Sequence, residues 1–444
     1  MLAEGRDAYN FVVMKRMILI LCVLTAAANL RGQMTLNDCL IYAREHAYAN
    51  RIDRLADRDA AADVRLAAAQ VMPYLSLSAN GNLSSGRNID PETNTYDNKQ
   101  TLASGFGLNL SVPLFDGLVN INNLKAARVA RKKTAQRNLA AQDEVSIEVV
   151  KAFYNVSYCK SMVAQMEEQL TRDREDLLAT EKSFILGTKS GADVAEIKAL
   201  VASDEFSLIN QKNLLTKAYL ALRAGMGMEL SEEPLDLVED DPGSYGAGSD
   251  IRRHPKIAEA ELAVEEGIYT LRAAKGSYSP QISLTGGIST SYYKLMGMNM
   301  AYPSFRRQWK DNMGEYVGVQ FSFPLFDGLS TSGRVRKASV ALQESRLRLE
   351  QTRYELDRNV REAQLDYVSS CEESVAAQKR LEAEEFAFKA VRRKYELGQS
   401  SAIDLYTSAA KLATARADAE GKRIQKIINM LTLRYCKGEN LIKE

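Results

Sequence analysis

The pentapeptide PLFDG occurs twice, at Pro113–Gly117 and at Pro324–Gly328, 211 positions apart. The same offset joins Leu186-Gly187 to Leu397-Gly398. These pairs open two related phrases, LGTKSGADV (Leu186–Val194) and LGQSSAIDL (Leu397–Leu405), which makes Asp193 and Asp404 equivalent. Upstream, MPYLSLSANG from Met72 resembles SPQISLTGGI from Ser279; Pro73 and Pro280 are 207 apart, a difference that unequal loops absorb. A chain of this length suggests about two or three domains, but an internal duplication overrides that count and asks for two equivalent halves. The expected halves are 33–230 and 251–444, joined by an acidic, Pro/Gly-bearing linker over 231–250.

Each half follows one order. A helical pattern comes first, Leu36–Val71 and Ile257–Gly276. Two alternating segments flank a polar loop, and a very long helical pattern, a glycine-bearing break and another helix follow. Leu75 and Leu77 alternate with Ser76 and Ser78; Phe106, Leu108, Leu110 and Val112 alternate with Gly107, Asn109 and Ser111. In the second half Ile282 and Leu284 alternate with Ser283 and Thr285, and Val317, Val319, Phe321 and Phe323 with Gly318, Gln320 and Ser322. A soluble sheet with one wet face has this pattern, and so does a membrane barrel strand with lipid on one side and water on the other.

Neither Pro nor Gly interrupts Leu118–Leu186 or Arg334–Leu397. At about 1.5 Å per residue each predicts a helix of roughly 100 Å, against about 12 residues for a typical helix. Both carry a seven-residue step: Val149, Val156, Val163, Leu170, Leu177 and Phe184, then Val360, Tyr367, Ser374, Leu381, Phe388 and Tyr395. A 3.5-residue period predicts left-handed coiled-coil packing. PLFDG then reads as a strand-to-helix hand-over. Pro113 or Pro324 ends the ladder, Asp116 or Asp327 caps the long helix, and Gly117 or Gly328 makes the turn. Four strands per chain cannot close a membrane barrel, which needs about eight or more, so strands in a membrane require oligomerisation.

Residues 1–32 read as a signal region: Lys15 and Arg16, then the apolar run Met17–Ala28, with a start at Met14 and cleavage near Gly32. The other reading is an N-terminal membrane anchor. Lipidation at Cys22 is rejected because Leu21 is large and the apolar run continues past it. With Lys+Arg 58 against Asp+Glu 57, a nucleic-acid partner has no electrostatic support. Cys39, Cys159, Cys371 and Cys436 lack CxxC spacing and read as small buried apolar residues. His46 and His254 read as structural. No cofactor site and no catalytic motif is found, so the chain is not read as an enzyme. Met296, Met298 and Met300 could hold a soft metal, but they read as part of a flexible loop near the outer surface, with Tyr292, Tyr293, Tyr302 and Trp309 at the interface.

The duplicated PLFDG, the paired LG-x-x-S/T phrases, the prolines before the first and third strands and the His254-Pro255 opening together resemble the TolC-like outer-membrane efflux proteins of Gram-negative bacteria, over nearly the whole mature chain. The resemblance implies an α+β membrane protein. Three chains would form a twelve-stranded β-barrel, four strands from each, continued by a long α-helical coiled-coil tunnel in the periplasm. It implies a homotrimer in outer-membrane lipid, a periplasmic adaptor and an inner-membrane transporter, together an exit duct for efflux or type I secretion. It also implies a gate at the periplasmic tips. Asp404 falls on an aperture aspartate, Thr407 on a second one, and Tyr395 on a tyrosine that latches the closed state through Asp193. The latch's arginine falls on Ser400, and Lys189 is the candidate substitute. A ring of aspartates would favour cations and raise the carboxyl pKa values. Simple N-capping is the competing reading of Asp193 and Asp404. The competing function is a non-conducting periplasmic coiled-coil scaffold.

Overall fold

The computed structural model describes residues 33–89, 94–240, 243, 254–296 and 303–442. The signal region, Met298, Met300, Tyr302 and most of 241–250 lie outside them. Two compact units emerge. One takes the described residues of 1–54, 138–255 and 354–444, the other those of 55–137 and 256–353. Each draws on both copies of the repeat. Equivalent segments pack together, so the units cut across the halves.

The second unit holds one antiparallel sheet. Its strands are β2 (Tyr74–Ile89), β3 (Tyr96–Phe115), β5 (Gln281–Leu295) and β6 (Gly314–Ser322), in the order β2-β3-β5-β6. The register runs unbroken except for one shift between Pro113 and Phe115 on the β5 side. Leu75 faces Leu110, Leu77 faces Leu108 and Ala79 faces Phe106; Leu108 faces Ile288, Val112 faces Leu284, and Leu284 faces Val319. Opposed residues share a face, so the alternation of four strands adds into one apolar surface and one of Ser, Asn, Gly, Thr and Gln. The apolar surface is open: Leu77 is 79% and Val317 83% exposed. The strands are longer than their alternating cores because the outer stretches, such as ANGNLSSG, are small and polar at nearly every position and show no period.

The first unit is helical around one core. The expected helix Leu36–Val71 is two helices, α1 (Leu36–His46) and α2 (Tyr48–Ala69), broken at Ala47, where ψ is 134°. The long helices are α3 (Val119–Ile185) and α7 (Ser330–Glu396), each 67 residues. Their return helices are α4 (Gly191–Met226) and α8 (Ala402–Cys436). Leu36 and Leu40 of α1, Val149, Phe153 and Tyr154 of α3, Leu222 and Met226 of α4, and Leu431 of α8 are buried to 1% or less. The heptad positions Val149 and Val156 are fully buried and Leu170 is 6% exposed. The stretch expected as a linker is strapped down where it is described. Leu237–Val238 (β4) pairs in parallel with Met34–Thr35 (β1), and Glu239 is held by Arg423 and Ser157. Cys39, Cys159 and Cys436 are buried and Cys371 half-buried, none of them disulfide-bonded. His46 stacks on Tyr42 and the buried His254 lies edge-on to Tyr435.

Candidate functional site

The two hairpin turns of the helical unit are built alike. After α3, Gly187 adopts φ 72°; its N–H donates to the Phe184 carbonyl and that of Thr188 to Ser183. After α7, Gly398 adopts φ 71°; its N–H donates to the Tyr395 carbonyl and that of Gln399 to Lys394. These are Schellman ends, which need the left-handed residue that glycine supplies at least cost. Each chain then enters the return helix through a capping box. The Asp193 carboxylate accepts from the Ser190 N–H and hydroxyl, at 2.9 Å each, and the Asp193 N–H donates to Ser190 Oγ. The Asp404 carboxylate accepts from the Ser401 N–H at 3.1 Å, the Ser401 hydroxyl at 2.8 Å and the Ser400 hydroxyl at 3.1 Å. The Ser190 N–H chiefly, and its hydroxyl, hold the Asp193 carboxyl below its ordinary range. The Ser401 hydroxyl, then its N–H, do the same for Asp404. Both carboxylates are therefore engaged in capping within the protomer.

Tyr395 does not reach Asp193. Its hydroxyl is 3.1 Å from Thr180 Oγ1 on α3, and its ring packs with Ile197 of α4 and Leu405 of α8. Lys189 does reach it, with Nζ 3.8 Å from the ring centroid. Just below, Arg392 of α7 bonds Asp176 of α3 at 3.1 Å. Together these contacts tie the first hairpin to the second. Ser400 supplies an extra hydroxyl to Asp404, and Thr407 donates back to the Ile403 carbonyl of its own helix. Thr180 and the Asp176–Arg392 pair are contacts that no motif of the sequence pointed to. The capping serines were readable, since S-x-x-D ahead of a helix is a capping-box pattern.

About two turns back along α3 from Thr180 lies a buried acid. Asp173 is 4% exposed and accepts two bonds from Gln169, at 2.8 and 3.0 Å. Burial, and then the adjoining Asp204 carboxyl of α4, push its carboxyl well above the ordinary range.

In the sheet unit, the two PLFDG segments also match. Asp116 accepts from the Asn120 N–H at 2.8 Å, and Asp327 from the Thr331 N–H at 2.7 Å. Gly117 and Leu118 have φ 69° and 63°, Gly328 and Leu329 φ 64° and 66°. The prolines differ from the expectation. Pro113 ends pairing on the β2 side, at Ser111, while pairing to β5 continues across a register shift to Phe115. A missing N–H affects only the neighbour it would have faced, and the bulge restores register with the other. Pro324 lies beyond the end of β6. The surroundings of the two turns differ as well. A Cβ on Gly117 would overlap the Gly276 carbonyl oxygen and come within 2.7 Å of Ser279 Cβ, whereas one on Gly328 would have nothing within 4 Å among the described residues.

A sheet with one open apolar face, fed by long helices, is the design of an outer-membrane protein with a periplasmic helical stem. The chain belongs to the outer membrane efflux protein family, whose sequence profile matches residues 53–228 and 249–439. It is 24% identical to the outer membrane efflux protein BepC of Brucella suis over 86% of this chain and 81% of that one. It is 22% identical to the outer membrane protein TolC of Escherichia coli K12, over 86% and 78%. Its fold superposes on the CusC transmembrane channel with a TM-score of 0.79 at 19% identity, covering 93% of this chain and 94% of that one. It superposes on the outer membrane protein VceC of Vibrio cholerae with a TM-score of 0.74 at 17% identity, over 91% and 96%. The protein is thus an outer-membrane efflux protein with its helices in the periplasm, and not an enzyme.

Proposed function

We propose that this chain is one protomer of a homotrimeric, passive exit duct, which completes a tripartite efflux or type I secretion system with a periplasmic adaptor and an inner-membrane transporter. The observation that carries this is the sheet. β2 and β6 are its two edges, and the apolar face between them is exposed. Unpaired edges cannot stand in lipid, so the edges must close on other copies. Three copies would give a twelve-stranded barrel. The asymmetry between the PLFDG turns supports closure. Gly117 is covered by Gly276 and Ser279 ahead of β5, whereas Gly328 is open and Leu325 and Phe326 beside it are 88% and 83% exposed. The segment ahead of a neighbour's β2 would cover them by the same repeat logic.

The hairpin turns are proposed as the gate. Asp404 and Asp193 would form its charged rim, Thr407 would leave the rim less charged, and Lys189, Tyr395, Thr180, Asp176 and Arg392 would hold the two hairpins together in the closed state. The test is the mass of protein extracted in detergent from outer-membrane fractions, corrected for bound detergent, followed by conductance in planar bilayers. A mass of three protomers with ion conductance supports the duct. Protein that stays monomeric and soluble without detergent would leave the non-conducting scaffold as the reading.

A further inference from the structure

Beyond Gly314, β6 no longer accompanies β5, and among the described residues those of β5 past Ser289 have no strand partner on that side. A short helix, α6 (Phe305–Asp311), fills the gap. The buried Gln308 side chain accepts from the Tyr293 N–H at 2.9 Å and donates to the Tyr293 carbonyl at 3.0 Å, so its amide stands in for the missing strand. Asn312 does the same for the Ser291 carbonyl at 2.8 Å. Polar groups at a bare strand edge are satisfied without a strand.

This fixes α6 against the apolar face of the sheet. Thr290 shares that face with Phe106, its opposite residue on β3, and donates to the Trp309 carbonyl at 2.8 Å. The Trp309 ring lies 4.6 Å from Phe106, and Phe305 lies 5.2 Å from Tyr292 and 5.5 Å from Trp309. The aromatic side of α6 thus prolongs the apolar surface. Three of its other residues are basic: Arg306, Arg307 and Lys310 are exposed, as is Lys294 on the same face of β5. Against them stand Asp311, which lies 3.4 Å from Arg307, and the exposed Glu315 at the start of β6. Two aromatic anchors on an apolar surface with a surplus of guanidinium and ammonium beside them match the boundary between acyl chains and anionic headgroups. Guanidinium groups in particular suit phosphate.

We propose that α6 is a membrane-interface anchor, in which Phe305 and Trp309 sit among the acyl chains at the rim while Arg306, Arg307 and Lys310 bind phosphate-bearing lipid headgroups of the outer leaflet. This rests on the reading of the apolar face as the lipid-facing one. Trp309 is the chain's one tryptophan, so its fluorescence reports on α6 alone.

The test uses the full chain as extracted, in nanodiscs of phosphatidylcholine to which bis-phosphorylated lipid A is added in steps. The readout is Trp309 emission, with brominated phosphatidylcholine as a depth quencher. The emission should shift to the blue as lipid A is added. The lipid A fraction for half the shift should rise about fivefold per charge removed, taken together in Arg306→Gln, Arg307→Gln and Lys310→Gln. Phe305→Ala should keep the charge dependence but weaken quenching by brominated chains. Equal lipid A dependence in the native chain and the triple variant would overturn the headgroup assignment. The same shift with inorganic phosphate alone would overturn the membrane as its source. A chain that does not enter nanodiscs would overturn the lipid-facing reading itself. One that enters, with Trp309 quenched by brominated chains but indifferent to lipid A, would overturn only this inference.

Discussion

Lys189, in the turn of the first helical hairpin, lies over the ring of Tyr395 at the end of α7, its nitrogen 3.8 Å from the ring centroid. The Tyr395 hydroxyl faces the other way, to Thr180 at 3.1 Å. One tyrosine thus joins the hairpins twice, by a cation at its face and a hydroxyl at its edge. A half-exposed cation–π contact contributes about 0.5–1 kcal/mol, enough to shift a closed–open balance roughly two- to fivefold. Lys189→Ala should therefore raise the open fraction of single channels in planar bilayers by about that factor. Tyr395→Ala, which removes both links, should raise it further than Tyr395→Phe, which keeps the ring. Identical open fractions in all three would remove Tyr395 from the gate.

Asp404 can be both cap and charge, and two variants separate the roles. Its carboxyl is held below the ordinary range, first by the Ser401 hydroxyl. A group whose folded value is depressed stays ionised to lower pH, and the stability it adds is present above its unfolded value and lost as pH falls through the folded one. Asp404→Asn keeps a side-chain oxygen that can accept from the Ser401 N–H and removes the charge; Ser401→Ala, at the N-cap itself, keeps the charge and weakens the capping box, at a cost of about 1 kcal/mol. Reversal potentials across a salt gradient should show reduced cation preference in Asp404→Asn and nearly native preference in Ser401→Ala. The reverse order would leave Asp404 a cap alone.

Asp173 carries the opposite sign. Burial and Asp204 raise its carboxyl value, so the folded chain binds a proton that the unfolded chain has released. Its protonated form is the one the fold favours, and stability falls as pH climbs from the unfolded value, about 4, through the raised folded one. The other neighbouring charge is Asp176, held by Arg392. Asp173→Asn should raise the melting temperature in mildly alkaline buffer and narrow the difference between about pH 5 and about pH 9. An unchanged pH profile would place the titrating group elsewhere.

The repeat and the periods made much of this legible. Two equal long helices, four strands and two matching turns follow from PLFDG, from the Pro/Gly-free runs and from alternation at Phe106–Val112 and Val317–Phe321. Strand length was not legible, because Ser84, Asn82 and their neighbours are small and polar on either face. α6 was hidden in seven residues whose aromatic and basic members read as loop. Its role depends on Gln308 meeting a strand edge that ends at Gly314, a tertiary fact. At the tips, Asp193 and Asp404 were visible by position. Thr180 was not, since its link to Tyr395 joins residues 215 apart with no pattern between them.

The two PLFDG glycines make the last prediction. Both have positive φ, so alanine at either site carries a backbone strain of about 1–2 kcal/mol. At Gly117 the added methyl also meets the Gly276 carbonyl and Ser279 inside the protomer; at Gly328 it meets none of the described residues. Gly117→Ala should therefore lower the yield of folded chain, measured as heat-stable β signal after extraction. Gly328→Ala should leave the protomer folded, with strain its only intramolecular penalty. If the segment ahead of a neighbour's β2 covers that turn, the methyl at Gly328 lowers the trimer fraction in detergent while the monomer keeps its helix content. A Gly328→Ala chain that assembles as fully as the native one would show that the second PLFDG turn stays open to solvent in the oligomer, and closure would then rest on the β2 and β6 edges alone.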